Sequence, residues 1–398
     1  MVQTGSKSEA IRQALPVTRR AAYFNTGTCG PLPQACADAL AREDRREIEE
    51  GRIGMASYLA FRDLKESLRA GIAKVLGCDT NEVAITHNTT EGINYAIWGM
   101  NWNEGDEVLT TNVEHIGGLA PLYLLEQRHG IKLTIADCGP TGEGALEALS
   151  ARLTERTRAV VLSHVSYATG YVLPLKAISQ RAHAVGAMVI VDGAQSVGAI
   201  PLDMHDLEAD AYAGPGQKWL CGPEGTGVLY IAAAKMDSFG ASFAGYSSFE
   251  TFDELGGYTP HGDARRFELG SVFRPGLAGL KESVDWIVND VTLEWATERI
   301  STLQQYCRKA LEGIEGVEIV TPVGRQAGLV TFTVPAWEPA AVVEELGDRQ
   351  ILIRSIGRPS GLRVSTGFYN TEEEIDALVA GVKEVMQQTP RPPRITFH

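Results

Sequence analysis

The apolar run Val189-Ile-Val-Asp192-Gly-Ala-Gln195-Ser-Val-Gly198 ends in a carboxylate, and it is the first pattern in this chain able to do chemistry. A run of that kind reads as a strand buried on both faces, and an Asp delivered at its end is expensive to desolvate without a cationic partner. A protonated pyridine nitrogen would be such a partner, and it would keep the ring an electron sink for a carbanion. Capping of the following turn would explain Asp192 equally well. It does not explain Ala213-Gly-Pro-Gly-Gln217-Lys218-Trp219, a lysine in a glycine-flanked turn after a short strand. With Trp219, Leu220 and Gly222-Pro-Glu-Gly-Thr-Gly-Val behind it, Lys218 is expected in a constricted, partly apolar place. There its pKa falls and its amine becomes nucleophilic.

Two further segments have the right residue types. Ile85-Thr-His-Asn-Thr89-Thr90-Glu91-Gly places a polar turn between a strand and a helix, where backbone donors can meet a phosphate. A Thr/Glu capping box would use the same residues, so the segment alone leaves both readings open. His115, in Thr110-Thr-Asn-Val-Glu114-His115, follows another strand, and taken alone such a histidine is more often structural.

The elements that must position these residues alternate. From about Glu82 to Ile231 the spacing predicts strands Val83–Thr86, Glu107–Thr111, Lys132–Ala136, Ala159–Ser163, Met188–Asp192, Ala211–Ala213 and Gly227–Ile231. Helices are expected over Thr90–Gly99, Ile116–His129, Gly144–Arg152 and Leu175–Ala184, with Phe61–Leu76 ahead of the first strand. This is the signature of an α/β protein with a mostly parallel sheet, in which ligands lie outside the carboxyl ends of the strands. An irregular stretch, Phe239–Phe273, separates it from a long helical pattern over Leu277–Ile314. A second α+β unit then follows, with strands near Val317–Thr321, Gly328–Val334, Ile351–Ser355 and Gly361–Ser365 and a closing helix over Glu372–Gln388.

A length of 398 residues exceeds what one core supports, so two domains are expected. The expected division is an N-terminal arm over residues 1–20, a large cofactor-binding domain over 21–265 and a small C-terminal domain over 266–398. With 36 basic against 50 acidic residues and a net charge of -14, the chain is not built to grip nucleic acid or an anionic membrane, so an anionic ligand needs a local site. No apolar run approaches the roughly 18 residues a membrane span needs, and the N-terminus carries no apolar leader, so a cytoplasmic protein is expected. The six cysteines are scattered without metal-ligand spacing and read as reduced, mostly buried thiols.

In these motifs the chain resembles the class V aminotransferase-fold enzymes, the fold-type-I group that uses pyridoxal 5'-phosphate (PLP). Within that group it is similar to the cysteine desulfurases and, more closely, to the cysteine/cystine carbon–sulfur lyases. The resemblance runs from Tyr23-Phe-Asn-Thr to Tyr369-Asn-Thr-Glu-Glu-Glu-Ile, nearly the whole chain. It implies a seven-stranded mostly parallel sheet with a smaller α+β C-terminal domain. It also implies that Lys218 forms a Schiff base with PLP, that Asp192 pairs with the pyridine nitrogen, and that Gln195 hydrogen-bonds the ring hydroxyl. His115 matches the histidine that stacks on the ring and can relay protons, and Thr89 and Thr90 match phosphate donors. Ser271, in Phe267-Glu-Leu-Gly270-Ser271, matches a hydroxyl residue sent into the partner subunit's phosphate site, which implies a homodimer with shared active sites.

Arg363, in Gly361-Leu-Arg363-Val-Ser365, resembles the arginine that clamps the substrate α-carboxylate, a task suited to its planar fork. Arg354 matches a second arginine of the lyase branch, for a distal carboxylate or the same one. Two departures stand out. Pro215 and Gln217 occupy positions where the family carries a Ser or Thr and a His on the phosphate, so the phosphate cup is partly rebuilt around Gln217. Tyr167 replaces an Asn near the ring hydroxyl and is grouped here with the expected substrate contacts.

The reaction expected first is β-elimination from L-cysteine, L-cystine or a related thio-amino acid, giving pyruvate, ammonia and sulfide, persulfide or thiol. A cysteine desulfurase, an epimerase resembling isopenicillin N epimerase and a class V aminotransferase share its first proton transfer. An idle scaffold kept for partner binding would not need Asp192, Lys218, His115 and Arg363 together. A desulfurase needs an acceptor thiol on the loop before the carboxylate arginine, and the matching position falls near Pro359.

Overall fold

The structure, a computed structural model, describes residues 4–394. Its centre is a seven-stranded sheet of β1 (Val83–Thr86), β2 (Glu107–Thr111), β3 (Lys132–Ala136), β4 (Thr157–Ser163), β5 (Met188–Asp192), β6 (Ala211–Pro215) and β7 (Gly227–Ile231), in the order β1-β7-β6-β5-β4-β2-β3. Only β7 runs antiparallel to its neighbours, so the other six strands point one way. This is the mostly parallel sheet that the alternation of elements predicts. Alternate residues of the inner strands feed two separate cores. Val160, Leu162, Val189 and Val191 join one cluster, while Ala159, Val161 and Ile190 join the other. Burial on both faces is why these strands are almost continuously apolar. Edge strand β3 is half exposed and correspondingly mixed.

A third core belongs to the C-terminal unit. There an antiparallel sheet orders Glu318–Ile319, Leu329–Thr333, Ser360–Ser365 and Arg354–Gly357. The expected single strand Ile351–Ser355 is divided. Ile351–Leu352 pairs in parallel with Ala22–Tyr23, and Arg354–Gly357 turns into the antiparallel sheet. Ala22–Tyr23 thereby pairs with the segment that leads directly into the arginine-bearing sheet.

The expected helix over Leu277–Ile314 is broken into Arg274–Asp285, a wide π-helical turn Trp286–Val291, and Leu293–Glu312. β-branched residues weaken helical continuity here, and Thr292 sits at φ 64 between the halves. Ile287 and Val291 stay buried across the turn, which is why the apolar spacing reads as continuous. The stretch expected to be irregular contains a hairpin, Phe249–Phe252 with Tyr258–Pro260.

Candidate active site

Because six strands point one way, their carboxyl ends deliver side chains to a common region. β5 ends on Asp192, β4 on Ser163, and β6 leads through Pro215 to Gln217 and Lys218. β2 leads to His115, and β1 leads to helix Thr89–Gly99. Here they enclose a cavity of about 310 Å³, lined also by Gly27, Thr28, Tyr167, Gln195, Arg354 and Arg363. Of the site residues expected from sequence, all but Ser271 line it. Ser271 lies against a separate, smaller cavity, with its hydroxyl 2.8 Å from the Tyr246 hydroxyl.

The lysine turn is held by a close backbone approach. The Gly30 N–H donates to the Gln217 carbonyl at 2.7 Å, and a Cβ on Gly30 would fall 2.2 Å from the Lys218 carbonyl oxygen. Burial pushes Lys218 down to about 8, Arg363 and Arg354 add to the effect, and Asp192 opposes it. A larger neutral fraction of the amine results. One oxygen of the Asp192 carboxylate accepts the Ala194 N–H at 2.8 Å. The Gln195 amide is fixed by donation to the Gly27 carbonyl at 2.8 Å and by acceptance from the Trp219 indole at 3.0 Å. His115 caps its helix, its Nδ1 accepting the Gly117 N–H at 3.0 Å. The neutral ring therefore carries its proton on Nε2. Burial holds this imidazole below its ordinary value, against the pull of Asp192. The Tyr167 ring stands edge-on to it, with centroids 5.1 Å apart.

One end of the cavity suits an anion. The helix Thr89–Gly99 is capped by Asn88, whose side chain accepts the Glu91 N–H at 2.9 Å, while the Glu91 carboxylate turns back to the His87 N–H. Capping is thus done by Asn88 and Glu91 and leaves the Thr89 and Thr90 hydroxyls out of it. Gln217 lines the same end of the cavity. A helix N-terminus with uncommitted donors is a ready phosphate site, so these residues fit a phosphate-bearing cofactor linked to Lys218.

The other end is cationic. Arg354 and Arg363 are register partners on adjacent strands, and both donate to the Thr28 hydroxyl, at 3.1 and 3.2 Å. Arg363 also donates to the Tyr167 carbonyl at 2.8 Å, while its Nε is buried and unpartnered. Burial and the Arg354 charge push Arg363 down to about 9. Two guanidinium groups meeting on one neutral hydroxyl await an anion.

Sequence reasoning missed Thr28 and Ser163 as parts of this site. Thr28 sits in a loop without periodicity. For Ser163 the only available signal was a polar residue at a strand's carboxyl end.

The sequence pattern of the family described as Aminotransferase class-V matches residues 24–378. A probable cysteine desulfurase of Methanothermobacter thermautotrophicus is 27% identical, over 95% of this chain and 98% of that protein. A cysteine desulfurase of Serratia proteamaculans is 29% identical over the same shares. Among solved structures, a mutant of C-DES with glycine covalently linked to its PLP cofactor superposes with TM-score 0.88 at 31% identity, covering 93% of this chain and 98% of that one. The complex of the cystine C-S lyase C-DES with its product cysteine persulfide gives TM-score 0.87 at 31% identity, over 92% and 98%. With most of its length matched by the family pattern and by solved relatives, this chain belongs to the class-V aminotransferase family.

Proposed function

We propose that this enzyme is a PLP-dependent carbon–sulfur lyase that eliminates a sulfur leaving group from the Cβ of L-cysteine, L-cystine or a related thio-amino acid. The observation that carries this reading is a single cavity in which Lys218 and Asp192 lie between a helix N-terminus and a pair of arginines. PLP, when bound, supplies an electron sink for charge left at the substrate Cα. Lys218 would carry the cofactor through Nζ and then take the Cα proton, a task suited to an amine whose pKa lies near 8. Asp192 would hold a proton on the pyridine nitrogen, with Gln195 near the ring hydroxyl and His115 against the ring. Thr89, Thr90 and Gln217 would hold the phosphate. Arg363, with Arg354 beside it, would take the substrate carboxylate, and Tyr167 would wall the substrate side.

The sulfur has no acceptor thiol on the Arg354–Arg363 hairpin, so elimination to pyruvate, ammonia and a sulfur product follows. Four thiols are poor nucleophiles. Burial pushes Cys36, Cys78 and Cys307 up to about 12, and Cys221 higher still. A desulfurase is the second reading, resting on Cys29 as the one thiol near Lys218 and Arg354, although burial and the adjoining Glu224 carboxylate push that thiol up. Product analysis with L-cysteine and with L-cystine tests the choice. Pyruvate and ammonia in equal amounts, surviving replacement of all six cysteines, support the lyase. Alanine as the main product, abolished by Cys29→Ser, would establish the desulfurase.

We infer further a homodimer in which Ser271 reaches the partner's phosphate site. Support comes from its place outside its own cavity, beside exposed Tyr246 and Phe273. Sedimentation showing a fully active monomer would remove this. A cytoplasmic setting accords with six free cysteines, and among the described residues no helix is long and apolar enough to cross a membrane.

A further inference from the structure

Arg354 and Arg363 stand directly opposite each other on antiparallel strands, a placement in which like charges repel. Among the described residues neither guanidinium has a carboxylate partner. Arg363 is buried, but Arg354 is exposed, and among the described residues the Thr28 hydroxyl is the only hydrogen-bond partner of its side chain. Left to itself, a long cationic side chain beside another cation turns its head out to water. What holds Arg354 over the cavity is one oxygen atom.

That oxygen is fully committed. A hydroxyl has one proton and two lone pairs. The Thr28 hydroxyl donates its proton to Asn25 Oδ1 at 2.7 Å. Both lone pairs are then left to accept, one from Arg354 Nη1 at 3.1 Å and the other from Arg363 Nη2 at 3.2 Å. The loop that carries Thr28 is tied to the arginine strand by its backbone. The Thr28 N–H donates to the Asn25 carbonyl at 2.9 Å, the Ser365 N–H donates to the Phe24 carbonyl at 2.8 Å, and Asn25 bridges in parallel to Ser365, two residues beyond Arg363. A Cβ on Gly27 would fall 2.8 Å from Ser365 Oγ and 3.1 Å from Arg363 Nη2, so the close approach of loop and strand uses that glycine.

We propose that Thr28 is a positioning residue, its proton held by Asn25, which draws the tips of Arg354 and Arg363 to one point so that both act on a single carboxylate. The two bonded nitrogens are no more than 6.3 Å apart, since both bonds, 3.1 and 3.2 Å, end on the same atom. One carboxylate accepting charge-assisted bonds of about 2.7–2.9 Å spans that separation. Each guanidinium has five N–H donors and spends one on Thr28, so this bond need not break when the anion arrives. The inference rests on the reading of Arg363 as the carboxylate clamp, and adds that the pair is ordered before substrate enters.

The test measures binding rather than turnover. Glycine carries the α-carboxylate but no leaving group, and its Kd for the holoenzyme is read by calorimetric titration. Thr28→Val keeps the shape of the side chain and removes the oxygen, so glycine must order Arg354 itself. The entropy of one rotamer-rich side chain then raises its Kd about five- to tenfold. Thr28→Ser keeps the oxygen and should stay within about twofold of wild type. In both variants the Kd of the cofactor-free protein for PLP should also stay within about twofold, because the residues fitted to the phosphate lie at the other end of the cavity. A glycine Kd for Thr28→Val within twofold of wild type, a Thr28→Ser variant as weak as Thr28→Val, or a PLP Kd that rises in step with the glycine Kd would overturn the proposal. Should Thr28→Val fail to fold, Thr28→Ala removes the same hydroxyl from this partly buried loop position and is judged by the same titrations. Arg363→Met separates the two readings: unchanged glycine binding there removes the carboxylate clamp, whereas weakened binding there beside an unaltered Thr28→Val removes only the role of Thr28.

Discussion

Replacing Arg363 with methionine should damage binding while leaving the empty protein at least as stable. Arg363 is 1% exposed, and its nearest charged neighbour on the adjacent strand is another arginine. A buried cation without an anion carries a desolvation penalty of several kcal/mol. Against this stand two hydrogen bonds, to the Tyr167 carbonyl and the Thr28 hydroxyl, whose loss costs about 1–3 kcal/mol each. The two sides nearly offset, so the melting temperature of the cofactor-free protein should stay level or rise. Binding behaves differently. A bidentate contact with a carboxylate is two charge-assisted bonds of about 1.5–3 kcal/mol each, or roughly two to four orders of magnitude in kcat/KM. Arg354 remains and is exposed, so the lower half of that range, about 100- to 1000-fold, is expected. Melting curves with and without added glycine, together with steady-state kinetics on L-cystine, read both quantities. Wild type should be stabilised by glycine and Arg363→Met should not. A kcat/KM within tenfold of wild type, or a melting temperature lowered by many degrees, would show that Arg363 is a structural residue rather than a carboxylate clamp.

Borohydride reduction should fix the cofactor on Lys218 and no other residue, as peptide mass mapping would reveal. The neutral amine is the attacking form, so the rate at which cofactor-free protein takes up PLP should climb with pH and level off above about 8. A rate still climbing at pH 10 would mean an ordinary solvated lysine. Asp192→Ala should lose more kcat than cofactor affinity, because its charge matters most when charge develops at Cα; the reverse pattern in equilibrium binding and kinetics would make it an anchor. Gly117→Ala would set a Cβ 2.6 Å from Thr90 Oγ1 and 3.1 Å from His115 Nδ1. Overpacking of that kind costs about 1–3 kcal/mol, so the cofactor Kd should rise roughly tenfold or more, and an unaltered Kd would remove the phosphate role of Thr90.

Residues carried on regular elements were the readable part of this site. Asp192 and Lys218 follow strands whose apolar runs mark their own ends, and the alternation of strands and helices dictates that those ends converge. Arg363 was readable because a charge inside an apolar strand is conspicuous. Thr28 was not, since its part depends on a loop meeting a strand more than three hundred residues away, and nothing local records that. The broken helix at Trp286–Val291 escaped notice because the wide turn preserves the apolar spacing by which helices are recognised.

The bond between Thr28 and the two arginines also bears on the order in which the enzyme is made. Its partners are separated by 326 and 335 positions in the chain. A ribosome emits the residues of the large sheet, Asp192 and Lys218 included, well before it emits Arg354 and Arg363. During that interval a nascent chain could fold its central strands, yet the guanidinium pair and the pairing of Ala22–Tyr23 with Ile351–Leu352 would not exist. An incomplete polypeptide would therefore lack the guanidinium pair proposed to orient an amino acid. Closing so long a loop late is entropically tolerable because the penalty grows only with the logarithm of its length.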